Sequence, residues 1–491
     1  MLVTHCNGKV FLSSRNQRQY RRNLLLATVL TFLVTGSWAR KGPAPAPQGQ
    51  STGSLRSSLR RADNGTELHI FYVHGMGIEP AKAGTQDFEA SQEFRTSFCN
   101  QIRCTSMFQG RSYANEGHFA FKNGAPPVTY LGDNLWGKNE PEDWHAAAPF
   151  VANYTLVREN GTKIYLHEIN WWPLILAAKC RQIVAPEAAL VDRDKKHSAI
   201  CSAPTVPDKD GRYSSYSWIS ENEIGKRLPP WPKAAAINRW LKHDILDWGF
   251  ADALLAVGPL HKYLVEGIRE VILESFHTTD NQEFVIVTHS LGSYLMFSAL
   301  DLRNNPPAPP CPSPGGQPCS TAGSQGPSAL KIEEWKPRFE NLLRHTSHAY
   351  FMANQLRLLQ LANLDENQSG ANLTQAGSLI THLNAWADLR AEAGEDPPRI
   401  VAFSDPDDFL TWQLPEQSGR KDTNGNSVCV EDRPAKNARR WLRLFANPIS
   451  AHIGYDKNKT VVNAMLPKES QGQANPPSEK RQSADSTCPA R

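Results

Sequence analysis

Thr288-His289-Ser290-Leu291-Gly292 sets a serine between small residues two positions away on either side. That spacing suits nucleophilic attack, because a hydrolytic serine stands on a sharp strand-to-helix turn where larger side chains at those positions collide. Glycine is usual at both places, and Thr288 is the bulkier departure. The pentapeptide alone is weak evidence, since such a match arises by chance in about one of every two chains of this length. Ala322-Gly323-Ser324-Gln325-Gly326 is one such match in the same chain. Context separates them. Ser324 lies in a Pro/Gly-rich stretch, whereas Ser290 follows Phe284-Val285-Ile286-Val287 and precedes the apolar run Ser293–Leu300. A helix beginning there aims free backbone N–H groups and its positive dipole end at the turn. The N–H of Leu291 is then placed to bind an oxyanion.

A second oxyanion donor belongs on the loop after an earlier strand. Val73-His74-Gly75-Met76-Gly77 follows the strand candidate Leu68–Val73. Its two glycines let the backbone approach a reacting carbonyl closely, and the N–H of Met76 is the natural donor. Strand, His-Gly-Met-Gly, strand, Thr-His-Ser-Leu-Gly and helix, in that order, resemble the lipase and esterase branch of the α/β-hydrolase superfamily. The resemblance implies an α/β fold with a mostly parallel central sheet, flanking helices and surface insertions. It also implies nucleophile, acid and histidine in that chain order.

Ile400–Phe403 is followed by Ser404-Asp405-Pro406-Asp407-Asp408-Phe409-Leu410-Thr411, where the family places its acid. Asp408, followed by one residue, an aliphatic and a small residue, fits the family pattern first. Asp405, directly after the strand, is the alternative acid, and Asp407 ranks third. Beyond them the chain holds one histidine, His452, in a loop-like context after the apolar segment Trp441–Phe445, a candidate last strand. In this assignment His452 takes and returns the Ser290 proton while the acid holds the imidazole tautomer. No cofactor and no metal is required, and neither Cys-x-x-Cys nor His-Glu-x-x-His occurs. His74 and His289 read as structural neighbours of the site.

The elements that must position these residues read as alternating short apolar runs and helical patterns, the mark of a parallel α/β sheet. Leu68–Val73, Ile164–Ile169, Phe284–Val287, Ala349–Met352 and Ile400–Phe403 are strand candidates. Ala234–Phe276 reads as helices broken near Gly258-Pro259. Residues 40–65 read as a flexible linker, 66–467 as the hydrolase body with a low-complexity insertion at about 304–328, and 468–491 as a loose tail. A lid role for the insertion, closed by Cys311–Cys319, is the expectation there.

Basic residues Arg15, Arg18, Arg21 and Arg22 run into the apolar stretch Leu24–Val34, and Ser37-Trp38-Ala39 follows. Eleven apolar residues fall short of the roughly 20 a spanning helix needs, so residues 1–39 read as a signal peptide or signal anchor. Export to the periplasm or exterior, with possible anchoring at a membrane surface, is the expected location. Eight cysteines beyond Cys6 suit disulfides, with Cys311–Cys319 and Cys180–Cys201 as near pairs. A net charge of +4 over 491 residues, without basic-aromatic clusters, argues against nucleic acid. The expected activity is cleavage of small-molecule or lipid carboxylic esters through a Ser-His-Asp triad and an acyl-enzyme. An acyltransferase or thioesterase on the same fold, or a non-catalytic binding protein with a hydrolase-like body, are the alternatives.

Overall fold

The structure, a computed structural model, describes residues 5–6, 9–10, 55–76, 90–114, 120–122, 143–145, 149–179, 249–258, 260–277, 279, 281–300, 332–359, 376–414, 417–418, 429–438 and 448–466. The chain divides into two units, residues 1–50 and 51–491. In the first, β1 (His5–Cys6) pairs antiparallel with β2 (Lys9–Val10). The apolar stretch 24–34, both expected cysteine pairs, the 304–328 insertion, the expected strand 441–445 and the tail lie outside the described residues. No described helix is long and apolar enough to cross a membrane.

The second unit is α/β. Its strands are β3 (Glu67–Val73), β4 (Cys104–Tyr113), β5 (Ala120–Lys122), β6 (Asp143–His145), β7 (Phe150–Arg158), β8 (Lys163–Asn170), β9 (Gln282–His289), β10 (Thr346–Met352), β11 (Arg399–Ser404), β12 (Gln417–Ser418) and β13 (Cys429–Pro434). Its helices include α1 (Leu55–Asp63), α2 (Gln92–Ile102), α3 (Trp172–Lys179), α4 (Ala251–Val257), α5 (His261–Glu274), α6 (Leu291–Leu300), α7 (Ile332–His345), α8 (Leu356–Leu359), α9 (Ala376–Glu392), α10 (Pro448–Ile453) and α11 (Lys459–Met465). One sheet has nine strands in the order β12-β13-β11-β10-β9-β3-β8-β7-β4. Its six central strands, β13 to β8, are mutually parallel; β12 and β7 run against them at the two sides, and β4 pairs antiparallel with β7 at the edge.

The five sequence-predicted strands are β3, β8, β9, β10 and β11. Every residue of β9 and β10 is buried, as expected of strands covered on both faces. Consecutive residues point to opposite faces. Phe71 meets Phe276, just past α5, whereas Tyr72 stacks on Phe94 of α2. Helices therefore cover both sides. The predicted break near Gly258-Pro259 falls between α4 and α5.

One expectation changes. Leu55–Asp63, assigned to a flexible linker, is the helix α1. Leu55, Leu59 and Ala62 recur at helical spacing and are buried. Ser58 Oγ donates to Glu283 Oε1 at 2.6 Å, and the Arg61 Nε–H to Oε2 at 2.7 Å, which ties α1 to the start of β9. The described disulfide is Cys99–Cys104, joining the end of α2 to β4 through Arg103 in the left-handed region.

The topology also fixes a crevice. After β3 the chain moves to the β4 edge and returns through β7 and β8, whereas after β9 it moves the other way to β10, β11 and β13. Connections therefore diverge at the carboxyl ends of β3 and β9, the switch point where open α/β sheets bind ligands.

Candidate active site

Both motif loops emerge at that switch point. β9 ends at His289, Ser290 has φ +53°, and α6 begins at Leu291. A left-handed φ on a non-glycine residue costs about 1–3 kcal/mol, so the surrounding structure must enforce it. Two contacts do so. The Ser290 N–H donates to the carbonyl of Met352 at the end of β10 (2.8 Å), and the Ser293 N–H donates to the Ser290 carbonyl (3.0 Å).

The small positions around Ser290 have specific causes. A Cβ on Gly292 would lie 2.4 Å from the His74 carbonyl oxygen and 2.6 Å from that of Val73. The start of α6 thus packs directly on the backbone leaving β3. A Cβ on Gly75 would lie 2.8 Å from both Ser290 Cβ and His289 Nδ1. Thr288 is accommodated because its hydroxyl has a place, 2.7 Å from Ser293 Oγ in the first turn of α6.

His452 reaches Ser290 from the far end of the chain. Its Nε2 is 2.8 Å from Ser290 Oγ. Its Nδ1 is 2.9 Å from Asp408 Oδ2 and 3.0 Å from Oδ1. A carboxylate only accepts, so Nδ1 carries the proton and Nε2 is left to accept from the serine hydroxyl. His452 lies in the last turn of α10, a helix where the sequence suggests a loop. Pro448 suits the first helical position.

The Asp408 side chain is fully buried. Burial alone would raise its pKa, but His452, the Thr411 hydroxyl and the Leu410 N–H hold the carboxyl below its ordinary value. The Leu410 N–H donates to Oδ1 at 2.9 Å, and the Thr411 hydroxyl donates to Oδ2. The Tyr455 hydroxyl also donates to Oδ2, at 3.3 Å.

Asp405, the alternative acid, has other partners. Its Oδ1 accepts from the Asp407 N–H (2.9 Å), and its Oδ2 accepts from the Asn437 N–H (2.6 Å). Asp405 organises the turn that presents Asp408, as Asp residues do in turns. No hydrogen bond joins Asp405 or Asp407 to His452 among the described residues.

His74 and His289 flank Ser290 and His452 in buried, neutral form. The His289 Nε2–H donates to the His452 carbonyl (3.0 Å), which steadies the end of α10. Burial, reinforced by His452, pushes His289 down to about 4. His74 stacks on Trp171, donates through Nδ1–H to the Gly75 carbonyl (2.7 Å), and is pushed down to about 3 by burial. The Trp171 Nε1–H donates to the His74 carbonyl (3.0 Å). The loop carrying Gly75 and Met76 is thereby braced against Ser290.

Leu291 opens α6, so its N–H has no carbonyl one turn back within the helix. Met76 follows Gly75, whose Cα abuts Ser290, and Met76 is partly buried against the core. Gly77 lies outside the described residues. Thr411 enters the sequence reading only as the small residue after Asp408, and Tyr455 does not enter it, because a tyrosine three residues after a histidine carries no chemical signature. Among the described residues no cluster of three or more His, Cys, Asp or Glu side chains has metal-binding geometry.

No protein-family model, no curated protein and no solved structure matches this chain significantly.

Proposed function

We propose that this chain is a serine ester hydrolase of the α/β-hydrolase type, with Ser290, His452 and Asp408 as nucleophile, base and orienting acid. The observation carrying the reading is the continuous bond path from Ser290 Oγ through His452 to Asp408, starting from a serine held at φ +53°. Attack of Oγ on an ester carbonyl passes the hydroxyl proton to His452 Nε2. Asp408 keeps Nδ1–H in place and stabilises the imidazolium. The N–H groups of Leu291 and Met76 are assigned to the tetrahedral oxyanion. His452 then protonates the leaving alcohol, and water, activated by the same imidazole, releases the acid from Ser290.

An apolar acyl or lipid ester is the proposed substrate class. Phe409 follows Asp408, Trp412 closes the same turn, and Ile453 follows His452. These three are 57%, 46% and 52% exposed, apolar side chains that the core does not use. Exposed apolar residues grouped at a site mark binding of apolar ligands. The proposed export, with or without membrane anchoring, rests on residues 1–39 alone.

The test is hydrolysis of p-nitrophenyl esters from C2 to C16 by wild type, Ser290→Ala and Ser324→Ala. Loss confined to Ser290→Ala is expected. Activity surviving in Ser290→Ala would sink the assignment, and folded wild type inert on every ester would point to the non-catalytic alternative.

A further inference from the structure

Beside the nucleophile turn, β10 ends in a matching distortion. Met352 accepts the Ser290 N–H, and the next residue, Ala353, has φ +51°. Arg103, Ser290 and Ala353 are the described non-glycine residues with positive φ, and two of them stand together on neighbouring strands. The Ala353 N–H donates across to the Phe403 carbonyl (3.2 Å), so the turn is tied to β11 as well.

Asn354 and Gln355 follow, at 0% and 1% exposure. The Asn354 backbone accepts from the Trp412 N–H (3.3 Å), and its Nδ2–H donates to the Trp412 carbonyl (3.1 Å). That second bond fixes the amide orientation, because the flipped form would set two oxygens against each other. Asn354 Oδ1 is then a buried acceptor without a partner, and Gln355 Nε2 is a buried donor without one. Each such atom costs about 1–3 kcal/mol, and native structures rarely leave them unexplained. Apolar side chains of the same size would fill the space without that penalty.

We propose that Asn354 and Gln355 form a polar subsite beside Ser290 that binds a hydroxyl group of the substrate. This rests on the hydrolase reading and narrows it: the ester carries a free hydroxyl on its acyl or its alcohol part. A hydroxyl suits both atoms, since it can donate to an acceptor such as Asn354 Oδ1 and accept from a donor such as Gln355 Nε2. A carboxylate would set an acceptor against Asn354 Oδ1, and an ammonium would set a donor against Gln355 Nε2, so charged groups are excluded.

The test compares matched esters that differ by one hydroxyl, on the full-length protein. One pair is p-nitrophenyl butyrate and 3-hydroxybutyrate; the other is propyl and 2-hydroxyethyl butyrate. In wild type the hydroxylated member of at least one pair is expected to have the higher kcat/KM by tenfold or more. That preference should fall toward unity in Gln355→Met. Gln355→Met should also keep or raise the melting temperature without ligand, because it removes an unpaired donor. Equal rates on both members of both pairs would mean that the pair holds only water, and would overturn the subsite while leaving the hydrolase reading intact. A preference unchanged in Gln355→Met, or a lower melting temperature, would overturn it too. If wild type turned over no ester, the hydrolase reading would fall, and the subsite with it.

Discussion

Tyr455 joins the two aspartates of the acid turn: its hydroxyl accepts the Asp405 N–H at 2.6 Å and donates to Asp408 Oδ2 at 3.3 Å. A group three residues beyond the histidine therefore braces the carboxylate that orients that histidine. Tyr455→Phe removes both bonds and keeps the ring. A hydrogen bond of this kind contributes about 1 kcal/mol, so kcat for ester hydrolysis is expected to fall about fivefold. Asp408→Asn should cost far more, about 10⁴-fold, through the wrong imidazole tautomer. Asp405→Asn should cost much less than Asp408→Asn. Kinetics on one ester checks all three, and equal losses from the two aspartates would reverse the assignment of the acid.

Gly292 is the position least able to change. A methyl there would meet the backbone carbonyls of His74 and Val73, which cannot rotate away as side chains can. Overpacking typically costs about 1–3 kcal/mol. Gly292→Ala should therefore lower both the unfolding free energy and the activity, because relief requires moving α6 away from β3. Urea denaturation measures the first, and a wild-type midpoint would contradict the packing described.

Chain-length preference should depend on the exposed apolar residues. Phe409→Ser and Trp412→Ser are expected to reduce kcat/KM for C8 and longer p-nitrophenyl esters several-fold while changing C2 hydrolysis little. Each methylene removed from water is worth about 0.8 kcal/mol. Uniform loss across the series would assign those residues to the fold and not to the acyl chain.

Acid should destabilise the protein well above the carboxylate range. His69 Nδ1 lies 2.9 Å from His167 Nε2, and His167 Nδ1 lies 2.7 Å from Asn153 Oδ1. The Asn153 oxygen accepts, so each ring donates through Nδ1 and accepts through Nε2, and both are neutral. Burial pushes His69 down to about 4 and His167 well below its ordinary value. The unfolded chain takes up these protons near pH 6.5, whereas folded His69 refuses its proton until near pH 4 and folded His167 is shifted in the same direction. Stability is thus fully present above pH 6.5 and falls between 6.5 and 4, by about 3 kcal/mol for His69 alone. His74 and His289 act in the same direction. Asp456, raised to about 7 by burial, acts in the opposite direction as pH falls from 7 to 4. Glu168, also raised by burial, opposes as well, whereas His261, lowered by burial, joins the other histidines, so five depressed histidines act against two raised carboxylates and the net change is a loss. Urea unfolding at pH 7.5, 6 and 5 should show it, and Asp456→Asn should steepen it; a flat profile would contradict the buried histidine chain.

The sequence by itself determined five of the six central parallel strands and the chain order of the candidate residues Ser290, Asp408 and His452. Leu68–Val73, Phe284–Val287 and Ile400–Phe403 are apolar runs that read as strand candidates and are buried strands in the fold, and each precedes a turn carrying a motif residue. The small residues around Ser290 were legible for the same reason: the steric demand of a strand-to-helix turn acts over a few residues. Tertiary structure decided what depends on partners far along the chain. The choice of Asp408 over Asp405 rests on where His452 arrives, 44 residues later. Tyr455, Asn354 and Gln355 acquire meaning only beside Ser290, Asp408 and Trp412. Leu55–Asp63 is short and polar enough to read as a tether, and it is a helix because Glu283 and Tyr350 bind it. Local sterics are written in neighbouring residues, whereas hydrogen-bond partners and burial are set by contacts that exist only after the chain has folded.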